Sequence, residues 1–182
     1  GTSALIITSR GCGFKCTYCD RAVFGNMCRS HSTDYVMKMI HELHDKYGVK
    51  HFRINDDNFF IFKKRLLEVC NRIIGEKLKI TWSCFARADF TNDLELLKLM
   101  RRAGCWQISF GVESGDQRIQ DIEKKNITLE QIEKAVALVR KAGIRVVGFN
   151  MIGHPLETEE TMQKTIDFNK KIKVDDFKTQ FL

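Results

Sequence analysis

No apolar run in this chain is long enough to cross a bilayer. No charged-then-apolar leader stands ahead of its first strand-like run, so no secretory signal is read. The cysteines number seven, so they cannot all be paired, and a chain of 182 residues needs no disulfide staples. That excludes a disulfide framework as the basis of the fold and leads us to expect a reducing, cytoplasmic compartment. Basic stripes interleaved with aromatics are also missing. Lys and Arg exceed Asp and Glu, 30 against 23, for a net charge of +7. The cations are nonetheless mixed with acids, as in Glu123-Lys-Lys125 and Glu133-Lys134. That mixture reads as a solvated surface; a phosphate-bearing or nucleic-acid partner stays open. No low-complexity linker divides the chain. With 43% hydrophobic and 29% charged residues it suits one core in one domain, residues 1–182. Strand-like runs lie at both ends, so the chain is expected to be a piece of a longer protein.

What is present begins with Cys12, Cys16 and Cys19, in Arg10-Gly-Cys-Gly-Phe-Lys-Cys-Thr-Tyr-Cys-Asp20. Three thiols in one short loop suit zinc or an iron–sulfur cluster better than a hard cation. A closed zinc site takes four protein ligands; Cys28 or His31 would be the fourth. A four-iron cluster is usually held by four cysteines. Three would leave one iron open to a small ligand. A redox Cys-x-x-Cys pair is a further reading of the loop. Cys70, Cys84 and Cys105 lie in apolar segments and read as buried small hydrophobes.

Strand-like and helix-like patterns alternate along the rest. Strands are expected at 4–9, 51–55, 79–85, 106–112, 144–152 and 177–182. Helices are expected at 33–47, 63–74, 93–103, 128–142 and 158–171. Gly48, Gly75, Gly104 and Gly143 are placed to stop helices. Regular alternation implies a parallel sheet covered by helices, with crossovers of one hand. Ligand loops in such sheets lie at the carboxyl ends of the strands. Those ends hold the cysteine loop, Asn55-Asp-Asp-Asn58, Ala86-Arg-Ala-Asp89, Gly111-Val-Glu-Ser-Gly115 and Gly153-His-Pro155.

The cysteine spacing, with Tyr18 just before the third cysteine, resembles the radical S-adenosylmethionine (SAM) enzymes. Ile108-Ser-Phe-Gly-Val-Glu-Ser-Gly115, Lys124-Lys-Asn-Ile-Thr128 and Gly148-Phe-Asn-Met-Ile-Gly-His-Pro-Leu-Glu-Thr158 are similar to further motifs of that family. They resemble those of its cobalamin-binding, tRNA methylthiotransferase and elongator-type branches. Asn55-Asp-Asp-Asn58 departs from the Gly-Gly-Glu run that many members carry. The resemblance implies an α/β fold, a partial parallel (βα)6 barrel, here expected to be truncated after the sixth strand. It implies a 4Fe–4S cluster on Cys12, Cys16 and Cys19, with SAM chelating the open iron. It implies reductive cleavage of SAM to a 5′-deoxyadenosyl radical, fed by an electron donor such as flavodoxin or ferredoxin. Cobalamin would enter through a domain outside this chain.

The same resemblance distributes the cofactor-binding roles. Tyr18 is expected near the cluster and the adenine. Asp56 or Asp57 is expected to pair with the SAM ammonium, or else the two form a turn; alternation along a strand turns only one of them inward. Arg87 offers a fork to the SAM carboxylate, or else pairs with Asp89 or Asp93. Glu113 interrupts an apolar strand and is expected near the ribose or amino-acid part, or in a salt bridge. Asn150 is expected at the ribose or bonded within the core, and Gly153 in a turn beside the adenine. No side chain is nominated as catalytic. Two readings outside this family remain: a non-catalytic zinc or iron–sulfur module, and a barrel enzyme whose Gly111–Gly115 loop cradles phosphate. Glu113 opposes the second.

Overall fold

Short β-branched and aromatic runs become strands here because most bury one side against helices; the last, Asp176–Phe181, is exposed along its length. The computed structural model describes residues 2–20, 22 and 25–182. Six strands form one sheet: β1 (Ser3–Ile6), β4 (His51–Ile54), β5 (Thr81–Ala86), β6 (Cys105–Glu113), β7 (Arg145–Ile152) and β8 (Asp176–Phe181). Every neighbouring pair is parallel, and the spatial order follows the chain order. A doubly wound sheet reverses direction at a switch point; this one never does. Crossovers of constant hand therefore lay all the covering helices on one face and curl the sheet into a partial barrel. The expected fold class is the one observed.

The crossovers are α1 (Thr33–His41), α2 (Lys63–Gly75), α3 (Leu94–Arg102), α5 (Leu129–Lys141) and α6 (Glu159–Ile172). Ser32, Asp93, Thr128 and Thr158 cap the first turns of α1, α3, α5 and α6 with side-chain oxygens. The core lies between the helices and the convex face. Phe52, Ile54, Trp82, Cys84, Ile108, Phe110 and Val146 meet Met37, Leu66, Val69, Leu97, Met100, Ile132 and Val136 there, all buried. Cys70, Cys84 and Cys105 belong to this core, as their apolar surroundings implied. Burial pushes the Cys70 and Cys84 thiols well above their ordinary pKa.

The structure differs from expectation in several elements. The first strand leaves the sheet after Ile6; Ser9–Arg10 (β2) pairs instead with Arg29–Ser30 (β3) in an antiparallel ribbon. A short helix, α4 (Gln117–Ile122), lies between β6 and α5. Its six residues are too few to show a period. Gly75 was expected to stop α2, but it is the last helical residue. Lys77 takes the left-handed turn with φ 54°, and Lys173 does the same after α6 with φ 57°. Gly104 stops α3 for a reason stronger than flexibility: φ is +93° and a Cβ there would stand 2.2 Å from the Ile80 carbonyl oxygen.

Candidate functional site

The polar loops converge at the carboxyl ends of the strands. The cysteine loop leaves β2 at Gly11 and returns at β3, so the small ribbon closes its base. Gly11 is required at the exit. Its φ is +83°, and a Cβ would collide with the Met27 carbonyl at 2.1 Å. Within the loop Cys16 is buried, Cys12 half-buried and Cys19 exposed, and none of the three is in a disulfide. Burial pushes the Cys12 thiol up, opposed by the Phe14 backbone N–H and the Arg87 cation. Among the described residues, no three His, Cys, Asp or Glu side chains form the shell of a single ion. Cys28 is half-buried, and the His31 ring stacks on Tyr35.

Four contacts pin the loop to the sheet and to α4. Gly11 N donates to Asp57 Oδ2 (2.9 Å), beyond the end of β4. Thr17 N donates to the Glu123 carbonyl (3.0 Å), after α4. Tyr18 Oη donates to Glu113 Oε1 (3.1 Å), at the end of β6. Arg87, after β5, directs Nη1 at Cys16 Sγ (3.7 Å) and lays its guanidinium on the Phe14 ring, 3.6 Å from the centroid. The structure thus brings Cys12, Cys16, Cys19, Tyr18, Asp57, Arg87 and Glu113 into one region.

The two adjacent aspartates differ completely. Asp56 is buried. It accepts from Thr8 N (2.6 Å), Thr8 Oγ1 (2.5 Å), Ser9 Oγ (2.6 Å) and Arg65 Nη2 (3.3 Å). It therefore ties the end of β4 to the link between β1 and β2 and to α2. Asp57 is exposed and, among the described residues, accepts one hydrogen bond, from the Gly11 amide. Arg87 is buried and pairs as a fork with Asp89, Nε to Oδ1 at 3.1 Å and Nη2 to Oδ2 at 3.2 Å. Nη2 also donates to the Lys125 carbonyl (2.8 Å). Asn150 is buried with its Oδ1 accepting from Asn169 of α6 (2.9 Å), on the helix side of the sheet. Gly153 takes φ +93°, and its N–H donates to Glu157 (2.5 Å).

Glu113 sits where β6 breaks register against β7 between Gly111 and Glu113, with φ +59°. The extra residue lets a carboxylate end an otherwise apolar strand. Lys125 Nζ meets Glu113 Oε1 at 2.7 Å and also donates to the Gly111 carbonyl, itself 3% exposed against 10% for the carboxylate. Burial, and then the Glu113 charge, push the Tyr18 phenol far above its ordinary pKa. Tyr18 is therefore a neutral donor at any working pH.

The sequence reading missed four residues. Lys125 neutralises Glu113, and the buried acid itself was the signal, since it requires a cation. Arg65 clamps Asp56 and gave no signal in its basic run. His154 and Glu123 form a buried pair, Nδ1 to Oε1 at 2.8 Å, with His154 Nε2 against the Met151 carbonyl (3.1 Å). Glu123 is the residue whose carbonyl holds Thr17. The turn after β7 is thereby linked to the cysteine loop. Arg10 and Lys15 face water.

Comparison with known proteins places this geometry. The model of the Radical SAM superfamily matches residues 6–168. An uncharacterized methyltransferase of Pyrococcus horikoshii is 37% identical over 172 residues, 94% of this chain and 37% of that protein. The anaerobic magnesium-protoporphyrin IX monomethyl ester cyclase of Cereibacter sphaeroides is 32% identical over 160 residues, 86% of this chain and 26% of that protein. The chain thus spans well under half the length of these relatives. Among solved structures, the radical SAM methyltransferase TsrM from Kitasatospora setae, with cobalamin and a 4Fe–4S cluster bound, superposes with a TM-score of 0.87. It shares 19% identity, over 100% of this chain and 34% of that one. That likeness is one of fold.

Proposed function

The chain belongs to the Radical SAM superfamily, and we propose that it is the core domain in which a longer enzyme binds a 4Fe–4S cluster and SAM. The observation that carries this is the cysteine loop: three cysteines outside any disulfide, in a loop pinned by hydrogen bonds to three strand ends. The donor set fits the cluster. Three soft sulfur ligands suit iron, and the buried Arg87 guanidinium beside Cys16 offsets their negative charge. When bound, the cluster supplies one electron for reductive cleavage of the SAM sulfonium, and the protein supplies orientation.

The residues divide by what they touch. Cys12, Cys16 and Cys19 hold the cluster. Asp57, Glu113, Tyr18 and the turn at Gly153 face the cofactor. Glu113 accepts from the SAM ammonium or ribose, held in place by Lys125. Asp56, Arg87 and Asn150 fix the loops behind these groups. The 37% identity to a methyltransferase favours methyl transfer as the overall reaction. Cobalamin would be carried by another part of the protein, and a flavodoxin or ferredoxin would deliver the electron.

Anaerobic reconstitution tests the reading. We expect a brown protein with about four irons per chain. Cys12→Ala, Cys16→Ala or Cys19→Ala abolishes it; Cys70→Ala, in the core, does not. Uptake of zinc alone under those conditions overturns the proposal. Cobalamin absorbance in the purified full-length protein decides the branch.

A further inference from the structure

The concave face of the sheet is unlike the apolar interior of a closed barrel. It holds a cavity of about 230 Å³ whose lining includes Arg53, Phe85, Trp106, Arg145, Phe149 and Lys178. Four of these make a continuous row across the sheet. Arg53 of β4 lies over the Phe85 ring of β5 at 5.4 Å; Phe85 meets Phe149 of β7 at 5.5 Å; Lys178 of β8 lies over Phe149 at 5.9 Å. The two rings belong to strands separated by β6. They meet because β6 has only Ser109 opposite Phe85 and Gly111 opposite Phe149. A Cβ at Gly111 would stand 2.2 Å from Glu113 Oε1 and 2.8 Å from Lys125 Nζ, so the position admits no side chain without displacing that pair.

The lining is rich in donors and poor in acceptors. Three cations, Arg53, Arg145 and Lys178, face one carboxylate, Asp176. That carboxylate is paired with Arg145 (3.4 Å). Among the described residues, neither Arg53 nor Lys178 has an acid within ion-pair distance; each rests on a ring face instead. Trp106 Nε1 is buried in the same lining with no acceptor. A buried donor without a partner calls for one from a ligand.

We propose that this face is the substrate site and takes an anion with a flat apolar body. Arg53 and Lys178 hold the charged group, a carboxylate or a phosphate, and Phe85 and Phe149 bed the body. The assignment as substrate rests on the radical SAM reading; the binding itself does not. Phe85 is next to last in β5, and Phe149 precedes Asn150, the β7 residue that pairs with Glu113, so the bed lies just inside the mouth that carries the cysteine loop. Trp106, Arg145 and Asp176 line the cavity farther down, at the amino ends of their strands.

The test is fluorescence titration of the full-length protein, without cluster or SAM, using four probes of one shape. These are 2-naphthoate, 2-naphthylphosphonate, 2-naphthylmethanol and 2-naphthylmethylammonium. We expect the anions to bind at least tenfold more tightly than the alcohol and the amine. The stronger of the two anions identifies the group recognised. Arg53→Gln with Lys178→Gln should bring the anions to the level of the alcohol, whereas Arg53→Lys with Lys178→Arg should retain them. Both residues are exposed, and an unchanged circular dichroism melt confirms that the variants fold. Equal binding of alcohol and anions, or unaltered anion binding in the double Gln variant, overturns the proposal. Because the titration needs no cluster, its failure is separate from failure of iron uptake.

Discussion

Replacing Asp56 by Asn should cost this fold about 3 kcal/mol, an estimate that follows from where its oxygens go. The carboxylate has no exposed surface and the Arg65 side chain only 7%. Burial already holds the Arg65 pKa below its ordinary value, and the Asp56 charge opposes that. Loss of one partner from a buried ion pair costs about 3–5 kcal/mol, because the other charge is stranded. Here Arg65 keeps the Thr8 carbonyl at 2.7 Å, which puts Asn at the low end. The amide also turns donors toward Thr8 and Ser9, which themselves donate. Asp57→Asn, exposed and holding one amide, should cost about 1 kcal/mol or less. Guanidinium unfolding of the cluster-free protein, followed by far-ultraviolet circular dichroism under reductant, separates the two, provided the slope is unchanged. If Asp56→Asn falls within 1 kcal/mol of the parent, the clamp is not structural. If it also abolishes SAM binding, the carboxylate belongs to the cofactor.

Three further outcomes follow from other contacts. Glu113→Gln should weaken SAM binding by about 1.5–3 kcal/mol in calorimetry; unchanged affinity would leave Glu113 as the partner of Lys125 alone. Gly115→Ala should destabilise by about 1–3 kcal/mol, because a Cβ there stands 2.4 Å from the Lys164 carbonyl and 2.7 Å from Thr165 Cα; a neutral result in urea unfolding would contradict that close approach. Asp116 caps α4, and its bonds to Arg118 and Lys164 hold its carboxyl at about 2, below the ordinary 3.8. The group binds protons less readily folded than unfolded. Its contribution is therefore full above about pH 4 and lost as pH falls toward 2. Arg118 and Lys164 are 75% and 45% exposed, so screening limits it to about 1 kcal/mol. Asp116→Asn should flatten the acid limb of stability between pH 4 and 2; an unaltered limb would remove Asp116 as its source.

The order of strands and helices was legible because periodicity and glycine stops are local signals. The cysteine loop was legible because three cysteines sit within eight residues. What contacts each polar group was not. Asp56 and Asp57 are chemically identical neighbours, and only tertiary structure turns one toward Thr8, Ser9 and Arg65. For Arg87 the sequence leaves open the SAM carboxylate or an ion pair with Asp89 or Asp93, and for Asn150 the ribose or a bond within the core. Their partners, Asp89 and Asn169, come from a following turn and a covering helix. His154 stood between two residues that the turn reading used, Gly153 and Pro155. Its role depends on Glu123, thirty-one positions earlier.

The agreement between spatial and chain order of the strands bears on how the sheet is assembled. Within the six-stranded sheet, each strand after β1 pairs with the sheet strand made just before it, and the β2–β3 ribbon stands apart. No late strand has to be inserted between two that are already joined. During synthesis from the amino terminus, the sheet can lengthen at a single growing edge. Each crossover helix covers the newest strand as it is added, and loop closure at each step spans one strand–helix unit rather than the whole domain.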